Sequence, residues 1–195
     1  MKNLFLLLFV LIPSIAFLQP SKDTSSPYFK QRSYPEIKIL LTDSTTIFTK
    51  KDIPTDKTVA LIFFSPDCEH CQHTAKELIT KMDSLSNIFM VWNGPSYLPL
   101  TDDKAFYEKY HFANYSNIVM GKEVAYYMPV FYRIEITPYV AIYKNGTFFT
   151  EFRNSFKASD LIKVLDENYK PEVIEMVNSE DNKKKYLILE NEIEE

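Results

Sequence analysis

The apolar run Val59-Ala60-Leu61-Ile62-Phe63-Phe64 breaks at Ser65-Pro66-Asp67 and gives way to a segment in which Ala75, Leu78, Ile79, Met82 and Leu85 recur at helical spacing. A strand that is apolar at every position is buried, and here it is followed by a helix and then by a further apolar strand at Ile88 to Trp92. That order is a βαβ crossover and points to an α/β fold with a central sheet. The only two cysteines of the chain stand at the handover from strand to helix, as Cys68-Glu69-His70-Cys71. Two thiols so placed can close a small disulfide. The first also meets the unpaired amide groups and the positive dipole end of the helix, which favour a thiolate.

Met1-Lys2-Asn3 carries a positive charge ahead of the apolar stretch Leu4 to Ile12, and Ser14-Ile15-Ala16 supplies small residues before a cut after Ala16. Residues 1–16 therefore read as a secretory signal peptide, too short in its apolar core to span a bilayer, and they place the chain in the periplasm or another exported compartment. Retention as an uncleaved anchor is the alternative. No later segment is apolar for long enough to cross a membrane. An exported chain that relied on disulfides for stability would carry many cysteines, whereas 46% hydrophobic residues supply a core here, which leaves the single close pair free for chemistry. A net charge of −4 gives no footprint for nucleic acid. Gly94, Gly121 and Gly146, the only three glycines, stand apart and cannot form a phosphate-cradling loop.

Along the rest of the chain, residues 17–35 contain Pro20 and Pro27 and read as an irregular leader. Glu36 to Leu41 and Thr45 to Phe48 form a hairpin ahead of the buried strand at Thr58 to Phe64. Beyond the crossover, Asp102 to Tyr110 is predicted as a helix with Ala105, Phe106 and Tyr110 inward, Asn117 to Met120 as a strand and Lys122 to Tyr127 as a short helix. Asn145-Gly146 between two alternating runs, Pro138 to Tyr143 and Thr147 to Phe152, makes a tight hairpin. Ala158 to Tyr169 gives a last amphipathic helix, with Leu161, Ile162, Val164 and Leu165 inward. Residues 171–195 form a charged C-terminal extension. The aromatic residues Tyr126, Tyr127, Phe131 and Tyr132 are expected to pack in the core.

Over residues 36–170 this pattern resembles the thioredoxin-like fold, and within it the exported oxidoreductases of the TlpA and ResA type. The resemblance rests on the buried strand, the Cys68-Glu69-His70-Cys71 turn, Thr137-Pro138 opening a strand, and the Asn145-Gly146 hairpin. It implies a central mixed β-sheet flanked by helices, with the N-terminal β-hairpin as an extension. It implies a cis proline at Pro138, with Thr137 and Pro138 forming part of a substrate groove. It implies a thiol:disulfide oxidoreductase that acts as a monomer, without cofactor or metal, on protein thiols or disulfides, and that is served by an upstream redox partner. Two departures stand out. Asp67 occupies a position that is often aromatic, and Ile62 lies where many thioredoxins carry a buried acid, so proton transfer from Cys71 falls to Glu69, Glu77 or a water.

Cys68 is assigned as the attacking thiolate and Cys71 as the resolving thiol. Glu69 and His70 lie between them and tune the pair. A protonated His70 would stabilise the Cys68 thiolate, although an exposed turn histidine is the plainer reading. A histidine before the second cysteine also resembles the oxidising members of the superfamily, while TlpA-type members act as reductants, so the direction of electron flow stays open. Three other readings use the same residues. Cys68, His70, Cys71 and His73 could be imagined on a metal, though four ligands on one turn can hardly converge. A peroxiredoxin-like peroxidase would have its reactive cysteine at this helix start. A binding module without redox turnover would work through its aromatic surface.

Overall fold

The computed structural model describes residues 27–171. The expected signal peptide at 1–16, the leader up to residue 26 and the extension after residue 171 lie outside the described residues. The chain runs α1 (Pro27–Lys30), β1 (Lys38–Leu41), β2 (Ile47–Thr49), β3 (Thr58–Phe63), α2 (Glu69–Ile79), β4 (Ile88–Gly94), α3 (Leu100–Lys109), β5 (Ile118–Glu123), α4 (Met128–Tyr132), β6 (Tyr139–Lys144), β7 (Thr147–Phe152) and α5 (Ala158–Leu165). One seven-stranded sheet has the order β2-β1-β5-β4-β3-β6-β7. Strands β3, β4 and β5 are parallel, and β6, β7 and the β1–β2 hairpin are antiparallel to their neighbours. The fold is thus α/β with a mixed sheet.

Alternation along β3 divides the core into two layers. Ala60, Ile62 and Phe64 pack with Cys71, Ala75 and Leu78 of α2, Phe106 of α3, and Leu161 and Val164 of α5. Val59, Leu61 and Phe63 face the other way, onto Tyr28 of α1 and Met128, Phe131 and Tyr132 of α4. Both faces are covered, which is why this strand could be apolar throughout. The Asn145-Gly146 hairpin forms as expected, with both residues in the left-handed region at φ 51° and 72°. Ser33, in the described part of the leader, bridges Thr147 at the sheet edge.

Several boundaries differ from the sequence reading. The strand expected to end at Met120 continues to Glu123, and the helix expected over Lys122 to Tyr127 lies instead at Met128–Tyr132. Pairing of Ile39 and Leu40 with Glu123 and Lys122 holds the strand extended, and the Glu123 carboxylate accepts the backbone N–H groups of Tyr127 and Met128 at 2.9 and 2.6 Å, which fixes where α4 starts. Helix α2 stops at Ile79, and Met82 and Leu85 reach the core from a separate 3-10 turn. Helix α5 ends at Leu165 because Asp166 turns extended. On α3, Ala105 is exposed and Asp103 is buried in its stead. Phe131 and Tyr132 are core residues, whereas Tyr126 and Tyr127, expected there too, are exposed.

Candidate active site

At the carboxyl end of β3 the chain turns over Ser65, Pro66 and Asp67 and enters α2. Cys68 N–H donates to Ser65 O at 3.1 Å, Gln72 N–H donates to Cys68 O at 3.0 Å, and the Gln72 side chain donates back to Pro66 O at 2.9 Å. Lys109 of α3 donates to Gln72 Oε1 at 3.0 Å, so the turn is braced from a second helix. Asp67 does not cap α2. Its carboxylate accepts the Ser65 hydroxyl, and the capping position belongs to Cys68 itself, in extended backbone at φ −74° and ψ 116°.

Cys68 Sγ accepts the Cys71 N–H at 3.2 Å, and the Cys68 thiol reaches Thr137 O at 3.4 Å. A helix N-terminal N–H aimed at a sulfur is an arrangement suited to negative charge. Both cysteines are free thiols; Cys68 is half-buried, whereas Cys71 is fully buried. Burial, and next the neighbouring Cys68 sulfur, push the Cys71 thiol up to about 12. Chemically the two sulfurs are unlike: one can be reached from outside and the other is held protonated behind it.

The structure brings Thr137 and Pro138 to the dithiol across 69 residues of chain, and the Thr137–Pro138 bond is cis. The strand that follows is firmly held. Tyr139 donates to Glu151 Oε2 at 2.6 Å, Tyr28 to Glu151 Oε1 at 2.9 Å, and Arg153 binds the same carboxylate at 2.8 and 3.1 Å while also reaching the Tyr132 and Arg133 carbonyls. Glu69 and His70 are exposed on the first turn of α2, and Glu69 lies 3.5 Å from His73 as an i, i+4 pair. Glu77 accepts the Ala158 N–H at 3.0 Å, at the start of α5. Neither carboxylate suggested by the sequence for proton transfer is directed at Cys71. Among the described residues no three His, Cys, Asp or Glu side chains converge as a metal site.

The sequence reading missed Asp103. It is fully buried with both carboxyl oxygens unpartnered, and it lies so close to Gly94 at the end of β4 that a Cβ there would stand 2.0 Å from Oδ1. Burial pushes its carboxyl up to about 7, with Lys122 pulling the other way. The signal was present: residues 103 and 106 share one helical face, so Asp103 had to follow Phe106 inward. Glu123 is likewise pushed up to about 7 by burial, against the two N–H groups that it accepts. Also missed was a pocket beside the dithiol turn, lined by Pro66, Asp67, Leu98, Asp102, Ala105, Phe106 and Lys109.

By sequence the chain matches no protein-family model and no curated protein. By structure it is similar to a secreted Mycobacterium tuberculosis disulfide oxidoreductase homologous to E. coli DsbE, with 17% identity, TM-score 0.53, and 65% of this chain and 92% of that one covered. The thioredoxin domain of a thiol-disulfide oxidoreductase from Bacteroides vulgatus aligns at 16% identity and TM-score 0.52, over 68% of this chain and 92% of that one. StoA from Bacillus subtilis aligns at 11% identity and TM-score 0.50, over 68% and 97%.

Proposed function

The chain has the thioredoxin-like fold, and from that premise we propose that it is an exported thiol:disulfide oxidoreductase that exchanges a Cys68–Cys71 dithiol or disulfide with protein partners. The observation that carries this reading is the asymmetry of the pair: a reachable Cys68 sulfur at the helix start, beside Thr137 O, with Cys71 buried and protonated behind it.

As a reductant, the Cys68 thiolate attacks one sulfur of a partner disulfide. The partner's S–S bond breaks, its other sulfur leaves as a thiolate and takes a proton, and a mixed disulfide joins Cys68 to the partner. Cys71 then gives up its proton and attacks Cys68 Sγ, which forms the intramolecular disulfide and releases the second partner thiol. Two electrons and two protons pass to the partner, and a donor dithiol restores the resting pair. The same steps in reverse oxidise a partner dithiol. A Cys71 held at about 12 is slow to resolve until its proton is accepted, which lengthens the life of the mixed disulfide. Thr137 O and the braced Pro138–Tyr139 strand form the wall against which the partner chain lies, while Glu69 and His70 on the open side tune the pair. Export rests on the reading of residues 1–16.

The test is the reduction potential of the pair in the mature protein, equilibrated in dithiothreitol or glutathione buffers. A value near about −270 mV makes it a reductant, and one between about −180 and −120 mV an isomerase or oxidant. A pair that never closes a disulfide refutes the proposal.

A further inference from the structure

Among the described residues, six of the seven exposed large apolar side chains lie at one edge of the sheet. Tyr97, 71% exposed, sits in the connection from β4 to α3. Val124, Tyr126, Tyr127 and Val130 follow β5, and Ile136 directly precedes Thr137. This is the edge formed by the carboxyl ends of the parallel strands β3, β4 and β5, and β3 delivers Cys68 to it. The two connections leave on opposite faces of the sheet, yet the Tyr97 and Tyr126 rings meet over the edge with centroids 6.5 Å apart. The platform is held from below: Tyr127 stacks on the buried Phe131 at 5.7 Å, and Glu123 fixes the Tyr127 and Met128 N–H groups. On the α3 side the ridge continues through Leu98 into the pocket beside Pro66. The pocket's two carboxylates, Asp67 and Asp102, outnumber its one ammonium, Lys109, which donates to Gln72 and lies over the Tyr110 ring at 5.2 Å, so its lining carries a net negative charge.

An exposed apolar ridge contiguous with a reactive centre marks an interaction surface. We infer that this edge docks the polypeptide partner of the dithiol, and that the partner carries its reacting cysteine in an extended segment with an aromatic or large aliphatic residue beyond it and a basic residue facing Asp67 and Asp102. The spacing follows from the sheet. Tyr126 lies three residues past the end of β5, the strand two places from β3, and those two strands are about 10 Å apart at the usual strand separation, which an extended chain covers in about three residues. The acidic rim selects basic over acidic segments by charge. This inference rests on the proposed exchange chemistry and specifies its substrate class.

The test uses the Cys71→Ser protein, reduced, with extended synthetic peptides that each carry one cysteine as a mixed disulfide with thionitrobenzoate. Attack by Cys68 on the peptide sulfur joins the two and releases the coloured thiolate. Glutathione disulfide serves as a reference too small to span the edge. A peptide with tryptophan about three residues from its cysteine and an adjacent lysine is expected to react about tenfold faster, relative to glutathione disulfide, than one with serine and glutamate in those places. Tyr97→Ser combined with Tyr126→Ser is expected to abolish that preference, and Asp102→Asn to remove its basic part. Both tyrosines are exposed, so circular dichroism should report an unchanged fold. Equal peptide ratios in the unsubstituted and substituted proteins overturn the inference while leaving the exchange chemistry intact. Inertness toward every disulfide, glutathione's included, overturns the chemistry itself. A dimer in sedimentation that the tyrosine substitutions dissolve also overturns it, since the ridge would then be covered by a second copy of this chain.

Discussion

Asp103→Asn should make the protein more stable at neutral pH, and the gain should vanish in mild acid. The carboxyl is fully buried against Gly94 with neither oxygen partnered, so burial favours the protonated form and moves its titration from 3.8 to about 7. Between those values the folded chain holds a proton that the unfolded chain has released. Stability conferred by the neutral acid is therefore full below about pH 4, falls as pH rises, and is lost above about pH 7. Each unit of pKa displacement corresponds to about 1.4 kcal/mol, so the loss across the whole window is about 4 kcal/mol. Asparagine keeps the shape and cannot ionise. Glu123, displaced in the same direction, stays in both proteins and cancels in the comparison. Urea unfolding followed from about pH 5 to about pH 8 should show the two proteins diverging by about 3 kcal/mol. At an m-value of about 2 kcal/mol/M, that is about 1.5 M in midpoint. A separation that stays constant over that range would refute the reasoning, because it would mean that Asp103 ionises in the folded chain as it does in water.

Other substitutions probe the framework around the dithiol. Gly94→Ala places a methyl 2.0 Å from Asp103 Oδ1, must push α3 outward, and should cost about 1–3 kcal/mol or more, read from the urea midpoint. An unchanged midpoint would mean that α3 yields freely. Glu151→Ala strips the partner from Arg153 and from the Tyr28 and Tyr139 hydroxyls, and should cost about 3 kcal/mol in the same assay. Iodoacetamide at about pH 8 should add one carboxamidomethyl group to the reduced protein, on Cys68, because Cys71 is buried and held near 12. Mass spectrometry showing equal modification of both would contradict that geometry. Trp92, the only tryptophan, packs against Phe64, Phe106 and Phe112, and its emission should shift to the red in a single step with unfolding.

Much of this architecture was legible from local pattern. Apolar continuity at Val59 to Phe64 could only belong to a strand covered on both faces, and the change to helical spacing after Cys68 could only be a crossover. Asn145-Gly146 fixed its own hairpin through two left-handed residues. Where the reading went astray, the deciding interaction was distant in sequence. The end of β5 was set by its pairing with β1 and by Glu123, and nothing within Asn117 to Tyr127 announces that β1 will be its neighbour. Tyr126 and Phe131 are equally aromatic, and only the packing of α4 against the sheet sends one out to solvent and the other into the core.

By itself, then, the sequence determined the α/β class, the crossover and the placement of a dithiol at a helix start, because these follow from hydrophobic period and from the residues at one turn. Tertiary structure alone decided that Thr137 O stands beside Cys68, that Cys71 is sealed from water while Cys68 is not, that Asp103 is left without a partner, and that an apolar ridge crosses the edge next to the dithiol. Each of these depends on which segments become neighbours across the sheet, and strand order is settled by the competition of whole elements for burial, which no short stretch of sequence contains.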